Sequence, residues 1–376
     1  MKSGAHHPYR NAPATAFWKK AVAEAPSDSF DPLIEAPFRI ASSDRVATAG
    51  SCFAQHLSKA LIAEGVNFLK TEAAPDIEAD ALPNFSARYG NVYTTRQVRQ
   101  LYQRAYGLLS VPDAFAWQRT DGRFVDPFRP NEFPAGFATA AEVATERRGH
   151  HTAVRRLFEQ CDVFILTLGL TEVWVSEAGR FALPLPPGVV ASPTDPAATF
   201  SPKNLSVTEM TDDLVTFIDD LRLVNPGVRV MLTVSPVPII ATFNPRHVIV
   251  SNTYTKSALR VVAQQVGELR PDVFYFPSYE LAVGHPRLRF FDDSLRRISP
   301  EGVARVMDLF RRRVLSGDGA PSRREPEPEP VPYDADAPRL SDELQGVICD
   351  EEMLGMLSPA AAPASGEPGH ADRAEA

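Results

Sequence analysis

The sequence predicts an α/β protein built on a parallel, doubly wound sheet, and three observations lead to that fold class. Residues 162–169 and 228–234 are continuous apolar runs, as expected of strands buried on both faces. Amphipathic helical patterns lie between and after these runs, so strands and helices alternate along the chain. A shorter β-prone run, 45–49, ends at Gly50 and is followed at once by a helical pattern.

The other elements follow from the same periodicities. Phe53, Leu57, Ala60 and Leu61 mark one face of the helix after Cys52, and Gly65 is expected to end it. Further helices are predicted near 15–24, 95–107, 140–160, 206–223, 252–269 and 299–314, and further strands at 66–69 and 273–276. Ser206 with Glu209 predicts a capping box, and Ser299-Pro300 a helix start. Segments 108–140 and 178–205 are expected to be surface excursions and irregular chain.

Composition narrows the class of protein. Of the 376 residues, 44% are hydrophobic and 23% are charged, which is ordinary for a soluble globular protein. The formal net charge of −8 argues against nucleic acid as a partner. Three widely spaced cysteines, no signal-peptide pattern and no long apolar run predict a cytoplasmic protein without a membrane span. No metal-ligand spacing and no phosphate loop is found, so no cofactor is predicted.

The chain divides into three predicted regions. Residues 1–40 form a proline-containing N-terminal arm, and residues 41–316 form the α/β domain. Residues 317–376 have the acidic, Pro/Glu/Ala-rich composition of a disordered tail. Within the tail, apolar residues at helical spacing over 340–357 predict a short helix, which either packs locally or docks to a protein partner.

The Gly50–Ala54 turn is the first candidate site. Ser51 and Cys52 fall between a strand and a helix, at the edge of the sheet where open α/β proteins bind ligands. The N-terminus of a helix also stabilises a thiolate or an oxyanion. The alternative is that Cys52 is a small buried hydrophobic residue and Ser51 a helix N-cap.

Several ordered motifs resemble the GSCFA family, which is named after Gly50-Ser51-Cys52-Phe53-Ala54. The other matching segments are Pro8-Tyr9 with Phe17-Trp18, 90–94, 166–174, 235–238 and 276–280. That family resembles the SGNH (GDSL-like) hydrolases. The resemblance implies a flavodoxin-like three-layer sandwich and ester or acyl-transfer chemistry.

The resemblance also implies roles for individual residues. Laying the Gly-Asp-Ser block of SGNH enzymes on Gly50-Ser51-Cys52 puts Cys52 at the nucleophile, with Ser51 as the alternative. The oxyanion and substrate-binding positions implied by the second and third blocks are Gly90, Asn91, Gly169, Thr171 and Glu172. Thr171 stands where asparagine is expected, and its hydroxyl could donate one hydrogen bond.

The last block departs from the superfamily pattern, which places Asp-x-x-His before the final helix. Here Asp293 is followed by Arg296 and Arg297, and a guanidinium cannot serve as a base. An arginine can nevertheless stabilise a thiolate, which favours Cys52 over Ser51. A base could instead come from His247, His285 or His56, although each is more often a packing or surface histidine.

The residues and the resemblance together predict an ester or thioester hydrolase or acyltransferase acting on a small-molecule or glycan acyl group. Two alternatives stay open. One is a catalytically inactive relative that keeps the pocket and binds a ligand. The other is a scaffold protein that acts through its tail helix.

Overall fold

A parallel sheet lies at the centre of the computed structural model, which describes residues 9, 11–27, 30–33, 35–72, 85–176, 180–288 and 290–316. The strands are β1 (Val46–Gly50), β2 (Trp117–Gln118), β3 (Phe124–Val125), β4 (Val163–Leu168), β5 (Glu172–Ser176), β6 (Phe181–Leu183), β7 (Ser192–Pro193), β8 (Phe200–Asn204), β9 (Arg229–Val234) and β10 (Phe274–Phe276). The α-helices are α1 (Cys52–Ala63), α2 (Thr95–Ala105), α3 (Ala140–Gln160), α4 (Val207–Val224), α5 (Val248–Leu269) and α6 (Pro300–Arg313).

The central sheet has the strand order β1-β4-β9-β10, and all its pairs are parallel. Gly50 lies beside Thr167, and Thr167 lies beside Thr233. On the outer edge of β1, Phe68 forms a parallel bridge with Val46, so the predicted strand at 66–69 is reduced to a single bridge. This order, with the second segment outside the first strand, is flavodoxin-like.

Helices cover both faces of the sheet. Alternate strand residues point to opposite faces, so Ala47, Leu166 and Leu232 pack with α2 to α5, whereas Val46, Ile165 and Met231 pack with α1 and α6. The three-layer α/β fold class predicted for the chain is confirmed. Part of the N-terminal arm packs on the face of the sheet that α1 and α6 cover, because Leu33 and Ile40 are buried in the same cluster as these helices.

Local signals placed most helix ends correctly. Ser206 and Glu209 form the predicted capping box at α4, and the Ser299 hydroxyl accepts from the N–H of Gly302 ahead of Pro300 at N1 of α6. Thr94 makes a further capping box at α2 with Gln97. The helix predicted from residue 252 begins earlier, at Val248, because His247 caps it.

The prediction of surface excursions and irregular chain for two segments was wrong. Residues 108–140 and 178–205 contribute to two small antiparallel sheets, β3-β2-β7 and β6-β5-β8. Trp117, Val125, Phe128, Phe181 and Leu183 form a third buried cluster there. These proline- and aromatic-rich segments lack the periodic apolar pattern that indicates a strand. Their burial depends on partners that are distant in sequence.

Two further expectations differ or fall outside the described chain. The helix predicted near 15–24 is replaced by two short helical turns, Ala14–Ala16 and Lys19–Ala23. The tail at 317–376, including the predicted helix at 340–357, lies outside the described residues. None of the helices in the described ranges combines the length and the apolar character that crossing a bilayer requires.

Candidate functional site

The predicted blocks of the site meet at the carboxyl ends of β1 and β4. The N–H of Ser51 donates to the Thr167 carbonyl at 3.1 Å, which continues the strand pairing past Gly50. The Gly50 carbonyl accepts from the N–H of Val92 at 2.8 Å, which brings in the segment after Gly90 and Asn91.

The segment after β4 joins the same junction. The Tyr93 carbonyl accepts from the N–H groups of Gly169 and Leu170, both at 3.0 Å. Residues 50–52, 90–93 and 169–171, which are far apart in sequence, therefore surround one point at the ligand-binding edge of the sheet.

Two glycines permit this close approach. Gly50 has a φ of +140°, and a Cβ there would lie 2.4 Å from the Thr167 carbonyl oxygen. A Cβ on Gly169 would lie 2.8 Å from the Cβ of Ser51. A side chain at either position would force the blocks apart, so the junction requires glycine at both.

Ser51 occupies the N-cap position of α1, but its side chain makes no capping hydrogen bond. Its Oγ is buried and finds no hydrogen-bond partner in the described part of the chain. Its N–H is used by Thr167 and its Cβ packs on Gly169, so Ser51 is held tightly on two sides.

Cys52 is the first residue of α1 and is buried, at 4% exposure, within the apolar cluster between α1, α6 and the sheet. The first N–H groups of a helix have no intrahelical acceptor, so those of Cys52 and Phe53 can serve a ligand or an oxyanion.

His56 lies one helical turn after Cys52, on the same face of α1, since residues at i and i+4 are neighbours. Burial, and then the charge of Lys59, lower the pKa of His56 to about 4, so its ring is neutral at pH 7. The Nδ1 atom is buried and makes no hydrogen bond to any described residue. Sequence spacing places His56 near Cys52, but only the tertiary structure shows that its ring is half-buried and that its Nδ1 atom is buried and unused.

The predicted oxyanion residues have structural partners. The amide oxygen of Asn91 accepts from Gln55 Nε2 at 3.3 Å, which ties the second block to α1. Gly90 has a φ of +66°, and a Cβ there would lie 3.3 Å from Glu132 Oε1. The Thr171 hydroxyl is fully buried and pairs with the hydroxyl of Thr255 at 3.1 Å, so it is already engaged.

Glu172 organises the loop after β9 instead of facing the turn. Its carboxylate accepts from the Thr242 hydroxyl at 2.6 Å, from the amide of Asn244 at 2.5 Å and from the N–H of Phe243 at 3.2 Å. These contacts shape an open cleft of about 190 Å³ beside the third block. The cleft is lined mainly by apolar side chains, among them Leu170, Trp174, Pro184, Ile239 and Phe243.

Lys256 is a buried residue of the site that sequence reasoning missed. Its side chain is 1% exposed, and its Nζ donates to the Gly169 carbonyl at 3.0 Å. A lysine in an amphipathic helix normally faces solvent, so the sequence held no signal for this role. Lys256 therefore places an amine nitrogen against the residue that packs on Ser51.

The last sequence block does not supply a base at the junction. Asp293 and Arg297 are exposed in a hairpin whose ends are the bridged residues Phe291 and Ile298. His247 is exposed at the N-cap of α5, where its Nδ1 accepts from the N–H of Ile249 at 3.2 Å. These positions do not support the predicted base role for His247 or a direct role for Asp293 in orienting a base.

His285 lies between β10 and α6 and is 2% exposed. Its Nδ1 accepts from the N–H of Arg287, and its Nε2 is buried with no hydrogen-bond partner in the described ranges. Phe30 of the N-terminal arm packs against the ring, with centroids 5.0 Å apart. His285 is therefore the second histidine with an unused ring nitrogen.

The described residues contain no group of three or more His, Cys, Asp or Glu side chains that could hold a metal ion. Cys161 is buried at the end of α3, and burial raises the pKa of its thiol to about 12. Its sulfur is 3.8 Å from the Phe158 carbonyl oxygen. Cys161 is thus a packing residue whose reactivity contrasts with that expected at a helix N-terminus.

The parallel sheet with a glycine-bounded strand-to-helix turn defines the class of protein, an α/β protein whose candidate site lies at the carboxyl ends of β1 and β4. Within that class, the chain belongs to the GSCFA family, whose model matches residues 45–310. No curated protein matches it significantly.

One similar solved structure is a carbohydrate esterase family 2 enzyme with a carbohydrate-binding domain from Corynascus thermopiles (Myceliophthora fergusii). The identity is 14% and the TM-score 0.22. The match covers 40% of this chain and 36% of that chain, so it spans about a third of the esterase structure.

Proposed function

We propose that this GSCFA-family protein is an ester or thioester hydrolase or acyltransferase in which Cys52 is the nucleophile and His56 the base. The observation that carries the proposal is the placement of two residues on α1: a cysteine at the first helical position and, one turn later, a half-buried histidine that is neutral at pH 7. A nucleophile and a base on one helix face need no histidine from the last block.

The surroundings of Ser51 favour Cys52 as the nucleophile. An SGNH-like nucleophile donates its own N–H to the oxyanion, but the N–H of Ser51 already donates to Thr167. At Cys52, its own N–H and that of Phe53 can donate to an oxyanion, whereas the N–H of Ala54 already donates to the Ser51 carbonyl at 2.8 Å.

The proposed reaction is a two-step acyl transfer. His56 takes the proton of the Cys52 thiol, and the thiolate attacks the carbonyl carbon of the ester. The resulting oxyanion accepts hydrogen bonds from the N–H groups at the start of α1. The carbon–oxygen bond then breaks, and His56 gives its proton to the leaving alkoxide. Water, or an acceptor alcohol in a transferase, attacks the thioester and regenerates the thiol.

The cleft beside Leu170 and Trp174 supports an apolar acyl or ring-bearing group as the part of the substrate that is held. Apolar and aromatic walls with a few fixed polar groups are typical of small-molecule sites. Because Glu172 is engaged with the loop after β9, selection there would rest on shape and apolar contact. A glycan or small molecule carrying such an acyl group fits this arrangement.

The test compares single variants on aryl esters and acyl-CoA thioesters. We expect Cys52→Ala to abolish turnover and His56→Asn to lower kcat about 100-fold or more, since a general base contributes about 10² to 10⁴. Ser51→Ala should retain most of the activity. Mass spectrometry after a substrate pulse should detect the acyl group on Cys52, with Cys161 as the unmodified internal control in a Cys349→Ser background.

Each other outcome reassigns the site. Loss of activity in Ser51→Ala with normal Cys52→Ala would make Ser51 the nucleophile. Loss in His285→Asn instead of His56→Asn would move the base to the segment before α6. Saturable ligand binding without turnover in the wild type would refute the enzymatic proposal and favour a binding protein.

A further inference from the structure

A separate buried polar region lies between α2, the loop after β3 and α3. Asp126 is 1% exposed and accepts from Arg129 Nε at 3.1 Å and from Arg147 Nη2 at 3.0 Å. Arg129 also pairs with Glu146. We call these four residues the Asp126 network. The carboxylates of Asp126 and Glu146 are therefore paired with the two arginines of the network.

Arg104 is a third arginine beside this network and has no carboxylate of its own among the described residues. It lies in the last turn of α2 and is 9% exposed, yet its Nε and Nη1 are buried without a hydrogen-bond partner in the described ranges. The ring of Phe128 covers one side of the guanidinium, with Cζ 3.8 Å from the centroid. Buried guanidinium groups are normally paired, so the free donors of Arg104 among the described residues are suited to binding an anion.

The local charge agrees with that interpretation. Burial lowers the pKa of Arg104 to about 9, and the attraction of Asp126 is opposed by Arg147 and Arg129. Burial, then Arg104 itself, lowers the pKa of His151 to about 3, so this ring is neutral at pH 7. A bound anion would relieve the repulsion that Arg104 feels.

Arg104 lines an open cleft of about 160 Å³ at the surface. Its other charged walls are Arg147, Arg148 and Asp113, and Asp113 is paired with Arg148 at 3.0 Å. Arg147 is paired with Asp126 and Arg148 with Asp113, so Arg104 supplies the uncompensated positive charge of the cleft. On its inner side, Arg104 also lines a cavity of about 20 Å³, which is sufficient for one water molecule.

We propose that this cleft is a second ligand site, which binds an oxyanion, the carboxylate or phosphate group of a small molecule, through Arg104 with Arg147 and Arg148. The planar fork of a guanidinium suits such a group, and a buried one contributes most. The neighbouring apolar walls, Leu109 and Val111, would contact the carbon part of the ligand. The site is independent of the proposed acyl transfer at Cys52.

The experiment measures binding of inorganic phosphate and of acetate to the full chain by calorimetry and by thermal denaturation, with ionic strength held constant by chloride. We expect saturable binding and a raised Tm in the wild type. A hydrogen bond to a charged group contributes about 1.5 to 3 kcal/mol to binding, and its loss in Arg104→Met should therefore weaken binding at least about 10-fold. Whichever of the two anions binds more tightly identifies the group of the natural ligand.

Arg104→Met also separates a ligand role from a structural one. An uncompensated buried charge destabilises the ligand-free protein, so this variant should keep or raise the Tm without anion and lose the anion-induced increase. Arg148→Gln should weaken binding less, and Arg222→Gln, a surface control paired with Asp272, should leave it unchanged. Absence of saturable binding in the wild type, or undiminished binding in both cleft variants, would overturn the proposal.

Discussion

The first turn of α1 and the Asp126 network are both buried, but their polar groups are satisfied to different degrees. In the network, Asp126 accepts from two arginines and from the N–H of Phe128. At the turn, Ser51 Oγ and His56 Nδ1 have no partner in the described chain. Satisfied buried polar groups hold a structure together, whereas unsatisfied ones mark places where chemistry or a ligand is expected.

The largest expected effect tests the network as a structural element. Asp126→Asn should lower the free energy of unfolding by about 4 kcal/mol, because it leaves two buried guanidinium groups without their shared carboxylate. Urea denaturation measures this change. Asp162→Asn is the matched control, since its pair with Arg45 is exposed and should contribute no more than about 1 kcal/mol. Similar losses in both variants would show that burial does not strengthen the network.

The next effect concerns the backbone of the turn. Gly50→Ala should destabilise by about 3 kcal/mol, because alanine meets both the positive φ and the Thr167 carbonyl at 2.4 Å. Gly188→Ala, at a φ of +90° with open space around it, should cost only about 1 kcal/mol by the same denaturation measurement. If the two variants were equally stable, the close approach of β1 and β4 would not depend on Gly50.

The smallest effect is a dependence on pH that originates in His56. Its pKa is about 4 in the folded chain against an ordinary value of 6.5, so unfolding takes up a proton between these values. The contribution to stability is fully present above pH 6.5 and lost as the pH falls towards 4. Because the ring is only half-buried, we expect about 1 to 2 kcal/mol.

Denaturation of the wild type and of His56→Asn over this pH range isolates that contribution. Other groups, including the buried His150, whose pKa burial lowers to about 4, also lose stability with acid, so the difference between the two slopes is the quantity to compare. Parallel slopes would mean that His56 is not buried as a neutral ring, and would weaken its assignment as a base.

The family resemblance predicted part of the candidate site, namely the positions that belong to its sequence blocks. The resemblance identified the three blocks, and the structure brings Gly50, Asn91 and Gly169 to one junction. The resemblance did not identify the half-buried His56 or the buried Lys256, because neither residue belongs to a matched block. It also could not show that Thr171 pairs with Thr255, a contact across 84 positions.

The sequence by itself determined the parallel strands, most of the helices and their caps, since periodicity and capping depend on neighbours within one or two turns. It also determined the glycine-bounded turn between β1 and α1. Only the tertiary structure decided the small sheets formed from 108–140 and 178–205, the Asp126 network and the burial of Arg104, which has no carboxylate partner among the described residues. These features arise when distant segments exclude water from side chains whose local patterns resemble those of an exposed surface.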